Sequence, residues 1–213
     1  MIFQYLQTII DKLLCGKLLP ITLTLLHRML EKLPQFVSHR YNLAMFRALL
    51  LFLYHLCARV GELTISQGNT HNILQIQDLS LVNSNSEVSA FRVRFTNFKH
   101  SFKFTPHSIT VVRNSHKFCP VKAILEYLKV QGPASGHIFI NQFHCPLSIL
   151  DVSNTIRSIL FSLGLESASF RTHSFRIGCC TDAAVHGTST SQLRLLGHWH
   201  SNAFFKYIRP QDF

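Results

Sequence analysis

The sequence predicts a mainly α-helical domain carrying a small antiparallel β-sheet. Apolar residues recur at helical spacing along most of the chain, the period changes to alternation between Asp78 and Val112, and glycines and prolines mark the boundaries. A chain of 213 residues can bury a proper core, and 47% hydrophobic content excludes intrinsic disorder. Its most apolar stretch, Ala48 to Ala58, lies between Arg47 and Arg59 and is far too short to cross a bilayer.

Ile2 to Leu14 reads as a first helix, ended by Gly16 and Pro20. Thr22 to Leu33 reads as an amphipathic helix with Leu23, Leu26, Met29, Leu30 and Leu33 on one face and Pro34 as its stop. Tyr41 to Ala58 is apolar nearly all round, so it belongs at the centre of the fold. Phe91, Val93 and Phe95 then alternate with Arg92, Arg94 and Thr96, as in a half-buried strand. Asn83 to Ser86 supplies a turn before that strand, and Ser108 to Val112 a strand after it. Helical spacing returns at Pro120–Val130, Leu147–Leu163, Thr172–Val185, Ser191–Leu196 and Asn202–Tyr207. The expected organisation is a short helical segment, residues 1–19, followed by one domain over 20–213.

Charge narrows the function. Lys and Arg number 21 against 10 Asp and Glu, a surplus of +11. Such a surplus on a compact domain points to a polyanion, with nucleic acid the commonest and a membrane surface the competitor. Val88 to Leu125 contains no acidic residue but holds Arg92, Arg94, Lys99, Lys103, Arg113, Lys117 and Lys122, with six phenylalanines interleaved. A face that basic repels itself unless an anion neutralises it. Six scattered cysteines have no disulfide-framework spacing, so reduced thiols in an intracellular compartment are expected. Met1 to Leu19 does not read as a signal peptide. The chain has no Cys-x-x-Cys or His-Glu-x-x-His, and His198-x-His200 has no accompanying carboxylate or thiol cluster, so neither a metal nor another cofactor is expected.

Three strings could carry chemistry. Arg59 follows the central helix in Ala58-Arg59-Val60-Gly61-Glu62-Leu63, where Gly61 suggests a helix C-cap and Arg59 a helix-end cation. His173 and Arg176 in Thr172-His173-Ser174-Phe175-Arg176 share one helical face, with Thr172 as the expected N-cap. Leu196-Gly197-His198-Trp199 contains the only tryptophan and precedes Tyr207, nine residues after His198. Each string alone has an ordinary structural explanation.

Taken in order, Arg, a hairpin Lys, His-x-x-Arg, Leu-Gly-His-Trp and Tyr resemble the catalytic domain of tyrosine recombinases, the phage integrase family, over about residues 20 to 210. The wording at 59–64, 173–178 and 197–209 is most similar to recombinases of eukaryotic mobile elements of the Crypton and DIRS-like groups. The resemblance implies that fold, with Arg59 and Arg176 as the two arginines, His173 as the histidine before the second, His198 at the His/Trp position and Tyr207 as nucleophile. Lys99 best matches the hairpin lysine, with Lys103 its rival, and Glu62 would brace Arg59. Arg92, Arg94, Lys103, Arg113 and Lys117 would follow the DNA backbone.

The implied activity is site-specific recombination or integration of double-stranded DNA through a 3′-phosphotyrosyl link, by a homotetramer on DNA, without metal or ATP. Two arginines and a histidine aimed at the phosphate oxygens would stabilise the charge added on attack. Tyrosine ionises near about pH 10, so it needs cations and a base nearby, and His173 would be that base. A nuclear location follows if the source is eukaryotic, a cytoplasmic one otherwise. Against the family's usual build, the separate helical domain before the catalytic one is expected to be absent or truncated, and only six residues follow Tyr207. A non-catalytic DNA-binding module of the same fold and a type IB topoisomerase-like relaxing enzyme are the alternatives.

Overall fold

The computed structural model describes residues 18–66, 73–95, 107–199 and 201–209. The expected helix from Ile2 to Leu14, and both Lys99 and Lys103, lie outside the described residues. Helix α1, Leu23–Lys32, starts at Thr22, whose hydroxyl accepts from the Leu25 N–H at 3.3 Å. The Asp182 carboxylate accepts from the Leu23 N–H at 2.8 Å, which ties this helix start to a distant part of the chain. Ahead of α1 a short strap is fixed by Leu19 N–H to the Ser169 carbonyl and Ile21 N–H to the Ser174 carbonyl, both 2.9 Å.

Helix α2, Arg40–His55, is the central element, with Leu49 to Leu53 fully buried on every side. Burial of each such side chain contributes roughly 1.5–3 kcal/mol. The helix ends three residues before the expected Ala58. Its C-cap is a Schellman turn in which Cys57 donates to the Tyr54 carbonyl and Ala58 to the Leu53 carbonyl. The left-handed residue of that turn is Cys57, φ 47°, and not a glycine. Gly61 therefore is not the cap; it lies inside a following 3₁₀ turn, Val60–Glu62. Arg59 stands just before that turn in extended conformation, so it is not a helix-end cation.

The sheet comprises β1, Leu79–Ser84, β2, Glu87–Phe95, and β3, His107–Val112, antiparallel in that order. Asn85 and Ser86 both take positive φ, 50° and 66°, the conformation a right-twisted two-residue hairpin turn requires. Phe91, Val93 and Phe95 are buried while Arg92 and Arg94 face outward, as the alternation predicts. Phe91 stacks on Phe52 with ring centres 4.7 Å apart, which anchors the sheet to α2.

Helix α3, Pro120–Gln131, packs along α2, and helix α4, Ile149–Ser162, packs against α1. The Tyr127 hydroxyl donates to the Ile138 and Ile140 carbonyls and accepts from the Ile140 N–H, joining α3 to the next loop. Helix α5, Ser174–Val185, begins two residues later than expected; His173, not Thr172, occupies the cap position. Helix α6, Thr190–Leu196, opens with a capping box between Ser189 and Gln192. The segment Asn202–Tyr207 is 3₁₀, not α-helical. Among the described residues no helix is long and apolar enough to cross a membrane. The five described cysteines are free thiols.

Candidate active site

The Schellman turn at the end of α2 lies against α5 and the loop after α6, joined to both through Arg176. Glu62, only 8% exposed, holds Arg59 twice: Oε1 accepts from Nη1 and Oε2 from the backbone N–H, both at 2.8 Å. The Arg59 side chain stays partly open to solvent. A carboxylate that fixes one edge of an arginine leaves the other N–H groups for an anion.

Arg176 comes from the first turn of α5, a helix buried from Ser174 to Thr181. It is fully buried. Nη1 donates to the Cys57 carbonyl at 2.6 Å and Nη2 to the Gly197 carbonyl at 2.8 Å, so one guanidinium joins the end of α2 to the end of α6. His173, one turn earlier, lies with its ring 4.9 Å from that of Tyr207. Burial first, then the charges of Arg176 and Arg59, push the His173 pKa below its ordinary value, so the imidazole is neutral at pH 7. A neutral imidazole beside a phenol can accept its proton.

The loop after α6 brings in the rest. His198 has left-handed backbone, φ 56°, and its ring packs 4.2 Å from Phe95 and 4.5 Å from His107, at the base of the β2–β3 hairpin. Burial, followed by His107, Arg176 and Arg59, drives its pKa down to about 2, so His198 acts as a hydrogen-bonding group and not as a cation. Tyr207 is partly exposed and sits with its ring 5.5 Å from the Arg176 guanidinium carbon. Its position is pinned through the backbone. The buried Thr181 hydroxyl donates to the Tyr207 carbonyl at 3.3 Å and accepts from the Arg209 N–H at 3.1 Å.

Arg59, Glu62, His173, Arg176, His198 and Tyr207 thus lie near one another, supplied by one chain. Sequence reasoning assigned no role to Trp199, although its uniqueness was visible. The indole sits on the Arg176 guanidinium, 4.4 Å from ring centre to carbon, and 5.0 Å from the Tyr207 ring. Nor did it assign one to the Cys57 carbonyl, which no local pattern could connect with Arg176.

The basic face also differs from expectation. Arg92 and Arg94 are exposed on the outer side of the sheet, Arg92 donating to the Thr110 hydroxyl at 3.2 Å. Arg113 pairs with Glu87 at 3.0 Å and Lys117 with Glu31 at 2.5 Å. Two carboxylates from outside the acid-free stretch therefore neutralise part of a face read as unbalanced. Such exposed pairs contribute little to stability.

The buried histidines make stability depend on pH. His55 is pushed to about 4 by burial and His198 to about 2, each from an ordinary 6.5. Below pH 6.5 the unfolded chain takes up protons that the folded chain refuses, so stability falls as the solution is acidified. Each histidine contributes up to about 1.4 kcal/mol per pH unit in that window. The urea midpoint is expected to drop clearly between pH 7.5 and pH 5; an unchanged midpoint would contradict the burial of these rings.

Among the described residues no group of three or more His, Cys, Asp or Glu side chains is gathered as a metal ion would need. The sequence model of the phage integrase family matches residues 24–212. No curated protein matches the chain significantly. Among solved structures, the XerA recombinase superposes with a TM-score of 0.63 at 16% identity, covering 92% of this chain and 60% of XerA. The XerH recombinase in its post-cleavage complex with difH gives 0.62 at 13% identity, covering 91% of this chain and 49% of XerH. The Tn1549 transposon integrase with circular intermediate DNA gives 0.54 at 14%, covering 92% of this chain and 62% of that one. The chain therefore spans about half to three-fifths of these structures, and the likeness is one of fold. With the family match over nearly its whole length, the helix-rich architecture and its three-stranded sheet, the chain belongs to the phage integrase family.

Proposed function

We propose that this chain cuts and rejoins duplex DNA in site-specific recombination or integration, through a covalent 3′-phosphotyrosyl intermediate at Tyr207. The observation that carries this reading is the meeting of Tyr207 with His173 and Arg176 in a single chain, beside an Arg59 already oriented by Glu62. Tyr207 Oη attacks the phosphorus while neutral His173 takes the phenol proton. The bond between phosphorus and the 5′ oxygen breaks, and that oxygen takes a proton from the hairpin lysine, Lys99 or its rival Lys103. Arg59, Arg176 and His198 donate to the non-bridging oxygens as charge accumulates on them. The phosphotyrosyl bond keeps the energy of the broken phosphodiester, so attack by a second 5′ hydroxyl completes the exchange.

Double-stranded DNA is the proposed partner, along the face that presents Arg92 and Arg94. The XerH and Tn1549 integrase structures, both solved with DNA, support that choice. Assembly as a tetramer on DNA, an origin in a Crypton or DIRS-like element and a nuclear location are proposed on the wording of the three motif strings. A DNA-binding module without catalysis is the second reading, and the gathered site argues against it. The test is a library of nicked duplexes of randomised sequence, in which the nick traps any cleaved strand. The chain is expected to form a protein–DNA band that survives denaturant, and Tyr207→Phe to form none. Binding that weakens steeply with salt, with no such band from either protein, would favour the non-catalytic module.

A further inference from the structure

The arginine assigned to the phosphate is closed off. Arg176 has no exposed surface, its guanidinium carries the Trp199 indole at 4.4 Å, and Nη2 is held by the Gly197 carbonyl. Its Nε is buried and has no hydrogen-bond partner among the described residues. A buried, unsatisfied guanidinium N–H is costly, which marks it as a group built for a partner that arrives later. The indole and the Gly197 carbonyl belong to one loop, so a single movement would uncover the guanidinium and release Nη2 together. Nη1 would stay on the Cys57 carbonyl, fixing the arginine in place. Nε and Nη2 form the side-on edge of the guanidinium, the fork that matches two phosphate oxygens.

The indole's seat is built into the sequence. Gly197 has φ −102°, which any residue adopts, so its backbone does not require glycine. A Cβ there would lie 1.8 Å from the nearest indole carbon, so glycine is needed for room. Trp199 itself is only partly buried.

We infer that Trp199 is a lid on the phosphate subsite, exchanged for a DNA phosphodiester when the site loads. The inference rests on the reading of Arg176 as a phosphate ligand, and it names how access to that ligand is controlled. The closed form holds Arg176 and Tyr207 without substrate, and the incoming phosphate replaces a stacking contact with charge-assisted hydrogen bonds.

Trp199 is the only tryptophan of the chain, so its own emission reports the lid. With the full chain and saturating duplex from the nicked library, emission is expected to shift to the red and acrylamide quenching to rise. Gly197→Ala, which leaves no room for the indole, is expected to show the open spectrum without DNA. In that variant phenylglyoxal should modify Arg176 about tenfold faster, the gain expected when a minor state of about a tenth becomes the dominant one. Arg59 should react as in the unaltered protein, which separates lid opening from unfolding. Bound duplex with an unchanged spectrum overturns the lid, whether or not Gly197→Ala folds. Covalent adduct is scored in the same samples: adduct with an unchanged spectrum keeps the catalytic reading and rejects the lid, whereas a red shift without adduct keeps the lid and rejects cleavage.

Discussion

Arg176→Lys is expected to abolish DNA cleavage while leaving a folded but weakened protein. The guanidinium reaches two carbonyls, Cys57 at 2.6 Å and Gly197 at 2.8 Å, and among the described residues Nε has no partner. A single ammonium group, with no planar fork, cannot hold both carbonyls and face a phosphate. Loss of one donor to a developing oxyanion costs about 10²–10³ in rate, and a fork supplies two, so adduct formation should fall at least about a thousandfold. The carbonyl left unpaired in the interior costs a further 1–3 kcal/mol or so of stability. Adduct formation within about tenfold of the unaltered chain would mean that Arg176 braces the fold and does not touch the reaction. The comparison also separates the two arginines, because Arg59 is held by Glu62 and is not enclosed.

Gly178→Ala is expected to cause a large loss of stability. Gly178 lies in α5 where the strap before α1 crosses it. A Cβ there would fall 1.8 Å from the Ile21 carbonyl oxygen and 2.4 Å from its carbon. These are backbone atoms and cannot rotate away. The strap must lift, which breaks the Ile21 to Ser174 hydrogen bond and exposes the fully buried Ile21. The cost should be about 3 kcal/mol or more, and Tm should fall by about 6–12 °C for a chain of this size. Gly164 provides the contrast, with φ 73° and nothing within 4 Å of the place an alanine methyl would take. Gly164→Ala should cost only about 1 kcal/mol, from backbone strain alone. Equal effects at the two sites would show that strap and helix are not in contact.

Much of this arrangement was legible in local pattern. The alternation of Phe91, Val93 and Phe95 placed the buried face of the sheet, and the nearly all-round apolar character of Tyr41 to Ala58 placed the central helix. Those features follow from periodicities of two and 3.6, which a sequence displays directly. The cap of α2 was misread because glycine is the usual left-handed residue, whereas tertiary packing here puts Cys57 in that conformation. Thr172 has the chemistry of an N-cap, yet the helix starts after His173, and the Ser174 hydroxyl instead accepts from the Arg171 N–H. The pairing of Lys117 with Glu31 spans 86 residues, and that of Asp182 with the start of α1 spans 159. No local pattern carries such contacts. The site was visible as an ordered set of residue types; the closure of Arg176 by Trp199 and by the Cys57 and Gly197 carbonyls was not, because it exists only once three distant segments meet.

The central claim is that Tyr207 of this chain attacks the phosphorus, with His173 and Arg176 beside it. The most direct measurement is to digest the denaturant-stable adduct and map the attached nucleotide by mass spectrometry. The chain has five tyrosines, so the answer is discriminating. The expected result is a 3′-phosphate carried by the peptide that contains Tyr207. A nucleotide on Tyr5, Tyr41, Tyr54 or Tyr127, or a linkage through the 5′ phosphate, would contradict the account.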